Sequence, residues 1–138
     1  MKKIRITIFD DNELLRDSIS LLIGDTDNLE LVGSYPNCTH LVSNINDSLP
    51  DVVVMDIDMP GTDGLTFLEE IMRTRPVPVI MVSGGTHAGA EQTLRALDLG
   101  AVDFLAKPGA EGAGDLSELG EELTEKVRAA ARSRLRQT

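Results

Sequence analysis

Cysteine is nearly absent from this sequence of 138 residues, in which Cys38 is the only one. A single thiol excludes an intrachain disulfide, a cysteine zinc cluster and a CxxC redox motif. This is consistent with the reducing environment of the cytoplasm. Cys38 follows Pro36 and Asn37 near a predicted helix start, so we interpret it as a small apolar residue and not as a nucleophile.

Basic residues are also few, with 13 lysines and arginines against 23 aspartates and glutamates and a net charge of −10. A surface of this sign argues against direct binding of nucleic acid, because phosphate backbones select basic surfaces. Most of the acidity is expected to form a solvated surface that keeps the protein soluble. Part of it could form an acidic pocket that needs a cation.

Long hydrophobic runs are missing as well. The N-terminal apolar run is interrupted by Asp10 and Asp11 after a few residues, far short of a signal peptide or a membrane span. We therefore expect a cytoplasmic protein that does not associate with membranes. A hydrophobic fraction of 41% and a charged fraction of 26% are typical of one soluble globular domain.

Five β-rich runs alternate with five helical patterns along the chain. The runs predict strands near residues 4–9, 29–35, 52–55, 77–82 and 102–106. Apolar residues at three-to-four spacing predict helices near residues 14–23, 41–49, 65–72, 90–99 and 116–127. Such alternation predicts an α/β fold, in which right-handed crossovers join a parallel sheet covered by helices on both faces. The domain is expected to span residues 1–128, with residues 129–138 as a helix end or the start of a linker and with no output domain.

Polar residues stand where the predicted strands end. Asp10 and Asp11 follow the first strand, Asp56 the third, Ser83 the fourth and Lys107 the fifth. The carboxyl ends of parallel strands meet at one edge of the sheet, where such folds bind their ligands.

Three carboxylates at one sheet edge repel one another unless a cation neutralises them. A set of oxygen ligands favours a hard ion, and Mg²⁺ is the usual one in phosphate chemistry. Lys107 and Ser83 could bind phosphoryl oxygens, and a carboxylate can act as the nucleophile that forms an acyl phosphate. No histidine base is evident, since His40 is predicted in the second helix and His87 in a loop. These features predict a protein that keeps its acyl phosphate for a time as a signal, and not an enzyme that turns over a substrate.

The sequence resembles the receiver domains of two-component response regulators. The resemblance covers roughly the first four-fifths of the chain or more, and it depends on four motifs in the order and spacing of that family. These motifs are FDD at 9–11, MDIDMPGTDG at 55–64, MVSG at 81–84 and GAVDFLAKP at 100–108. The resemblance implies a flavodoxin-like, doubly wound sheet of five parallel strands in the order 2-1-3-4-5.

The same resemblance implies a role for each matching residue. Asp56 would accept a phosphoryl group from a phosphohistidine on a sensor histidine kinase or phosphotransfer protein. Mg²⁺ would be held by Asp10, Asp11, Asp56 and the backbone carbonyl of Asp58. Ser83 and Lys107 would bind the phosphoryl oxygens.

The resemblance also implies how the signal leaves the site. Ser83 and Phe104 would form a switch that reshapes the surface of the fourth helix, fifth strand and fifth helix, to control an output or a homodimer. The alternative reading of Phe104 is a plain core aromatic on a buried strand.

The two halves of the sequence resemble different members of this family. Residues 75–108 are similar to the receiver of chemotaxis methylesterase regulators, whereas the first helix and residues 29–33 are similar to receivers of helix-turn-helix regulators. Two explanations are open for this difference: ordinary sequence divergence within the family, and construction of a chimera from two receivers.

A haloacid-dehalogenase-type phosphohydrolase, using Asp56 and Asp58, is the alternative function. It is disfavoured because that family places its Asp-x-Asp motif on the first strand of the core and needs a cap.

Overall fold

The computed structural model describes residues 2–57, 59, 63–84, 87–107 and 116–137. Five strands alternate with five helices, as the sequence predicts. The strands are β1 (Ile4–Phe9), β2 (Leu29–Tyr35), β3 (Val52–Asp56), β4 (Val79–Ser83) and β5 (Asp103–Ala106). The helices are α1 (Glu13–Gly24), α2 (Leu41–Ser48), α3 (Gly64–Thr74), α4 (His87–Asp98) and α5 (Leu116–Gln137).

The strands form one parallel sheet in the order β2-β1-β3-β4-β5, which confirms the predicted flavodoxin-like topology. The chain moves outward from β1 to β2 and then crosses back to β3, so the strand order reverses between β1 and β3. A crevice opens at such a reversal, beyond the carboxyl ends of the two strands. Asp10 directly follows β1 and Asp56 ends β3.

Two hydrophobic cores pack against the two faces of the sheet. One core contains buried residues of α1 and α5, and the other contains buried residues of α2, α3 and α4. The side chains of β3 alternate between the two cores: Val52 and Val54 pack in the first, and Val53 and Met55 pack in the second. All five residues of β3 are buried, as expected for a central strand covered on both faces.

Local hydrogen bonds determine where several helices begin and end. The Asn12 side chain accepts a hydrogen bond from the Leu15 N–H and caps α1, and Asp63 caps α3 in the same way. Leu49 ends α2 in a left-handed conformation just before Pro50, where a helical conformation is disfavoured. Gly100 follows α4 with φ of +117°, a left-handed conformation that favours glycine at a helix end.

The structure corrects several predicted boundaries. The fourth helix begins at His87, so this residue is not in a loop, and His40 directly precedes α2 without belonging to it. Residues 129–137, expected as a helix end or the start of a linker, are part of the fifth helix, which extends to Gln137. Among the described residues, no helix is both long enough and apolar enough to cross a membrane.

Cys38 lies in the core beside α2, which confirms its interpretation as a small apolar residue. Burial, together with the negative charges of Glu70 and Asp56, raises the pKa of its thiol to about 12. The thiolate is the reactive form of cysteine, so burial and the raised pKa both disfavour a role for Cys38 as a nucleophile.

Candidate functional site

Three carboxylates converge at the reversal point between β1 and β3. Each of Asp10, Asp11 and Asp56 contributes an oxygen, and these oxygens lie within 4.8 Å of one another. Asp10 and Asp56 are buried, with 1% and 0% of their surface exposed, whereas Asp11 is exposed. The structure therefore brings together the three aspartates that the sequence predicts as one acidic cluster.

Asp10 is oriented by hydrogen bonds on both its backbone and its side chain. Its N–H donates to the Tyr35 carbonyl at 3.0 Å, which ties the loop after β1 to the end of β2. One carboxylate oxygen, Oδ1, accepts from the Asn12 N–H at 2.9 Å. The other oxygen, Oδ2, is buried and has no hydrogen-bond partner within the described parts of the chain. A buried carboxylate oxygen without a partner is costly, so this atom fits a role as a cation ligand.

The cluster is electrostatically unfavourable without a cation. Burial is the main cause that raises the pKa of Asp10 to about 6; the Asn12 N–H and Lys107 act to lower this pKa, and the charges of Asp56 and Asp11 act to raise it. A bound divalent cation would remove this penalty. The donor set consists of carboxylate oxygens, which suits a hard ion such as Mg²⁺.

Lys107, one residue beyond β5, forms an ion pair with the central carboxylate of this cluster. Its Nζ donates to Asp56 Oδ2 at 2.8 Å, and 24% of the lysine side chain is exposed. Burial alone would lower the pKa of Lys107, but the hydrogen bond to Asp56 and the charges of the three aspartates outweigh it and raise this pKa. Lys107 therefore stays protonated and supplies a fixed positive charge beside Asp56.

Ser83 ends β4 beside the acidic cluster and is mostly buried. Its carbonyl accepts a hydrogen bond from the Lys107 N–H at 2.9 Å, so the ends of β4 and β5 are joined at this point. On the other side, Asp56 of β3 pairs with Val82 of β4. The serine, the lysine and the central aspartate consequently occupy neighbouring strand ends at one edge of the sheet.

Phe104 lies on the outside of the molecule, with 41% of its surface exposed. The reading of this residue as a plain core aromatic is therefore wrong. Lys126 of α5 donates from Nζ to the Phe104 carbonyl at 2.6 Å, and Nζ lies 5.1 Å from the ring centroid. The same ammonium pairs with Asp103 at 3.3 Å and with Glu122 at 3.0 Å. These contacts stabilise the outward position of Phe104.

Comparison with known proteins places this arrangement in a family. Residues 6–115 match the model of the response regulator receiver domain. The chain belongs to the response regulator receiver family. Receivers of this family act as phosphorylation-controlled switches in two-component systems and bind Mg²⁺ at an acidic cluster of the kind described above. The resemblance noted in the sequence is thereby confirmed, and the phosphohydrolase alternative is not favoured.

Curated relatives of the receiver are considerably longer than this chain. A protein-glutamate methylesterase/protein-glutamine glutaminase of Dechloromonas aromatica is 46% identical over 134 residues, which cover 97% of this chain and 38% of the relative. The receiver thus spans about two-fifths of the length of that enzyme. Both halves of the receiver sequence fall within this one match. The expectation that the protein is not an enzyme is contradicted, because the relatives carry an enzyme's name.

Solved receiver structures have the same fold. The response regulator domain of Thermotoga maritima CheB aligns with a TM-score of 0.84 and 35% identity, covering 95% of this chain and 98% of that one. A chain from the complex between the P1 domain of CheA3 and CheY6 from R. sphaeroides aligns with a TM-score of 0.73 and 24% identity. That alignment covers 94% of this chain and 98% of the other, and at this identity it shows the fold alone.

Sequence reasoning missed some residues that shape the site. A Cβ at Gly64 would lie only 2.9 Å from the Cα and carbonyl oxygen of Ile57, so the start of α3 approaches the backbone after Asp56 as only glycine allows. The glycine in the motif at 55–64 was the available signal. Nothing in the sequence pattern indicated the contacts of Lys126 or of Arg16, which lies in α1. The predicted metal ligand Asp58 lies outside the described residues.

Proposed function

We propose that the receiver accepts a phosphoryl group on Asp56 and thereby controls a protein-glutamate methylesterase/glutaminase activity. The observation that carries this proposal is the position of Asp56, buried at the centre of the carboxylate cluster and 2.8 Å from the Lys107 ammonium. A nucleophilic carboxylate, a cation site and a fixed positive charge are together the components that phosphoryl transfer needs.

Mg²⁺ is proposed to be held by Asp10, Asp11, Asp56 and the backbone carbonyl of Asp58. The unpartnered Oδ2 of Asp10 and the all-oxygen donor set support this assignment. When bound, the ion neutralises the carboxylates and the developing negative charge of the phosphoryl group.

The proposed reaction exchanges one bond to phosphorus for another. An oxygen of the Asp56 carboxylate attacks the phosphorus of a phosphohistidine, the P–N bond breaks, and the imidazole leaves with the bonding electrons and takes up a proton. The product is an acyl phosphate on Asp56. Lys107 already donates to Asp56, so its ammonium can transfer that hydrogen bond to a phosphoryl oxygen as charge develops there. The Ser83 hydroxyl is proposed to bind a second phosphoryl oxygen.

The phosphoryl donor is proposed to be a sensor histidine kinase or a phosphotransfer protein. Receivers interact with such domains, and the complex of CheA3 P1 with CheY6 is an example of one fold relative with its partner. A net charge of −10 makes nucleic acid an unsuitable direct ligand. We place the receiver in the cytoplasm, where a free thiol such as Cys38 remains reduced.

The proposed output surface consists of α4, β5 and α5 and includes Phe104. A methylesterase output is supported by the relatives' name. This chain covers 38% of the length of the Dechloromonas aromatica relative, which is therefore about two and a half times as long as this chain. Phosphorylation is proposed to shift this surface between two states, and thereby to change its contact with an enzymatic partner or with a second receiver.

The metal-dependent reaction has a direct test. Wild-type receiver incubated with acetyl phosphate and Mg²⁺ should gain the mass of one phosphoryl group, measured by mass spectrometry of the intact protein. EDTA should abolish this gain, because the donor would then meet a cluster of unneutralised carboxylates. Readdition of excess Mg²⁺ serves as the control for damage by the chelator. Labelling that persists in EDTA would contradict the proposed role of the metal.

The switch has a separate test that does not depend on turnover. Beryllofluoride with Mg²⁺ should shift the amide resonances of β4, β5 and Phe104 in a saturable manner, and Ser83→Ala should reduce the shifts at Phe104. The reason is that Ser83 lies at the strand end that joins the site to β5. Ser34→Ala, at an exposed position of β2, is the matched control. Shifts confined to the surroundings of Asp56 would contradict the proposed coupling.

A further inference from the structure

An arginine outside the acidic cluster binds the backbone from which two of the aspartates extend. Arg16 lies in α1, and its Nη1 donates to the main-chain carbonyl of Asp10 at 2.8 Å. The guanidinium therefore extends from α1 back to the loop that directly follows β1. The hydrogen bond has a charged donor, which makes it stronger than a bond between neutral groups.

This hydrogen bond completes the restraint of Asp10. The backbone N–H of Asp10 is bound to Tyr35, and Oδ1 is bound to the Asn12 N–H. With the carbonyl bound to Arg16, three of the four polar atoms of Asp10 have partners. The fourth atom, Oδ2, is buried and lacks a partner in the described portions of the structure. Asp10 is thus held in one orientation, and one oxygen remains available for a ligand.

The same hydrogen bond also influences Asp11. The carbonyl that Arg16 binds belongs to the peptide group between Asp10 and Asp11, and a peptide group is planar. Fixing the direction of its C=O bond therefore fixes the direction in which the backbone of Asp11 departs. Arg16 restrains both aspartates of the loop through one peptide plane.

We propose that Arg16 is a positioning residue that increases the affinity of the site for Mg²⁺. This inference rests on the proposed metal site and deepens it. Residues that orient metal ligands without touching the metal typically change metal affinity by about 10- to 100-fold.

The charge of Arg16 acts in the opposite direction, because a positive group near a cation site weakens cation binding. Two observations make orientation the larger effect. Arg16 is only half-buried, so solvent screens its charge, and its contact is with a neutral carbonyl and not with a carboxylate. The two effects predict changes of opposite sign in Mg²⁺ affinity, so a measurement separates them.

Three variants of the full chain test the inference. Arg16→Met removes the donor and retains an unbranched stem, Arg16→Lys retains a donor, and Arg73→Met is the control at an exposed arginine of α3. Mg²⁺ alone is titrated into each metal-free protein, and the half-saturating concentration is read from amide chemical shifts. We expect this concentration to rise about tenfold in Arg16→Met. In Arg16→Lys the half-saturating Mg²⁺ concentration should return most of the way to the wild-type value, and in Arg73→Met it should equal the wild-type value.

A purely structural role would lower the stability of the Arg16 variants. If Arg16 acts as proposed, the midpoint of thermal unfolding in EDTA should be similar in all three variants. Phosphorylation of Arg16→Met by acetyl phosphate should recover at high Mg²⁺, because the loss is in binding and not in the maximal rate. Equal loss of rate at every Mg²⁺ concentration would overturn the inference.

The outcomes also distinguish this inference from the proposed function. Unchanged or tighter Mg²⁺ binding by Arg16→Met, with normal binding by the wild type, overturns the role of Arg16 and leaves the metal site intact. A wild type that does not bind Mg²⁺ overturns both. If Arg16→Met is poorly folded, Arg16→Gln is measured against the same expectation.

Discussion

Asp56→Asn should accept no phosphoryl group under conditions that label the wild type completely. Asparagine is nearly isosteric with aspartate and keeps an oxygen that can accept the hydrogen bond of Lys107, but its amide is not a nucleophile under these conditions. Removal of a reacting group of this kind lowers rates by a factor on the order of a thousand or more. Mass spectrometry of the intact protein after incubation with acetyl phosphate and Mg²⁺ measures the effect.

Asp47→Asn is the matched control for this experiment. Asp47 is an exposed aspartate of α2, and it is not among the three residues of the acidic cluster. This variant should be labelled like the wild type. Equal labelling of Asp56→Asn would transfer the acceptor role to another carboxylate, and Asp10 and Asp11 would then be the first to examine.

Lys107→Met should have the second largest effect, with opposite consequences for catalysis and for metal binding. Loss of a group that stabilises developing charge typically lowers a rate by about 10²- to 10³-fold. Mg²⁺ binding should become tighter, because Lys107 and the cation are attracted to the same Asp56 carboxylate. Initial rates of labelling at saturating Mg²⁺ and a metal titration measure the two quantities separately.

Lys3→Met provides the control for Lys107→Met, since Lys3 is exposed and lies before β1. It should change neither quantity. A labelling rate of Lys107→Met within about twofold of the wild type would show that the ammonium does not stabilise the transferred group. Weaker Mg²⁺ binding in that variant would show that Lys107 supports the cluster more than it competes with the ion.

The fold could be predicted from the sequence because its signals are local and repeated. β2 has the bounds predicted from its β-rich run, and α2 ends just before Pro50 because a helical conformation is disfavoured for the residue before proline. Less was predictable at other boundaries. β4 begins after Pro78 and not at Val77, because proline lacks the donor that a paired central strand requires.

The principal residues of the site could also be predicted, since they depend on topology more than on side-chain packing. Asp10, Asp56 and Lys107 lie at the ends of strands, and the strand order alone brings those ends together. The contacts of Arg16 and Lys126 were not predictable in the same way. Each depends on the direction that one long side chain takes from a helix towards a backbone carbonyl, and charged residues on helices usually extend into solvent.

The expectation of a protein without enzymatic turnover failed for a different reason. It was inferred from residues of the receiver, in which no hydrolytic base was identified. The enzyme's name belongs to relatives of which this chain spans about two-fifths. The residues of the acidic cluster are those of a phosphorylation-controlled switch, and a switch of this kind does not by itself indicate whether the rest of such a relative is an enzyme.

The alternation of β3 between the two cores has a consequence for how this domain can change in evolution. Val52 and Val54 face one core, Val53 and Met55 face the other, and the strand ends at Asp56. Deleting or inserting one residue within β3 would exchange the two sets of side chains and displace the Asp56 carboxylate in the same event. Point substitutions can accumulate one at a time along this strand, whereas a change in its length would have to be compensated at once on both faces of the sheet.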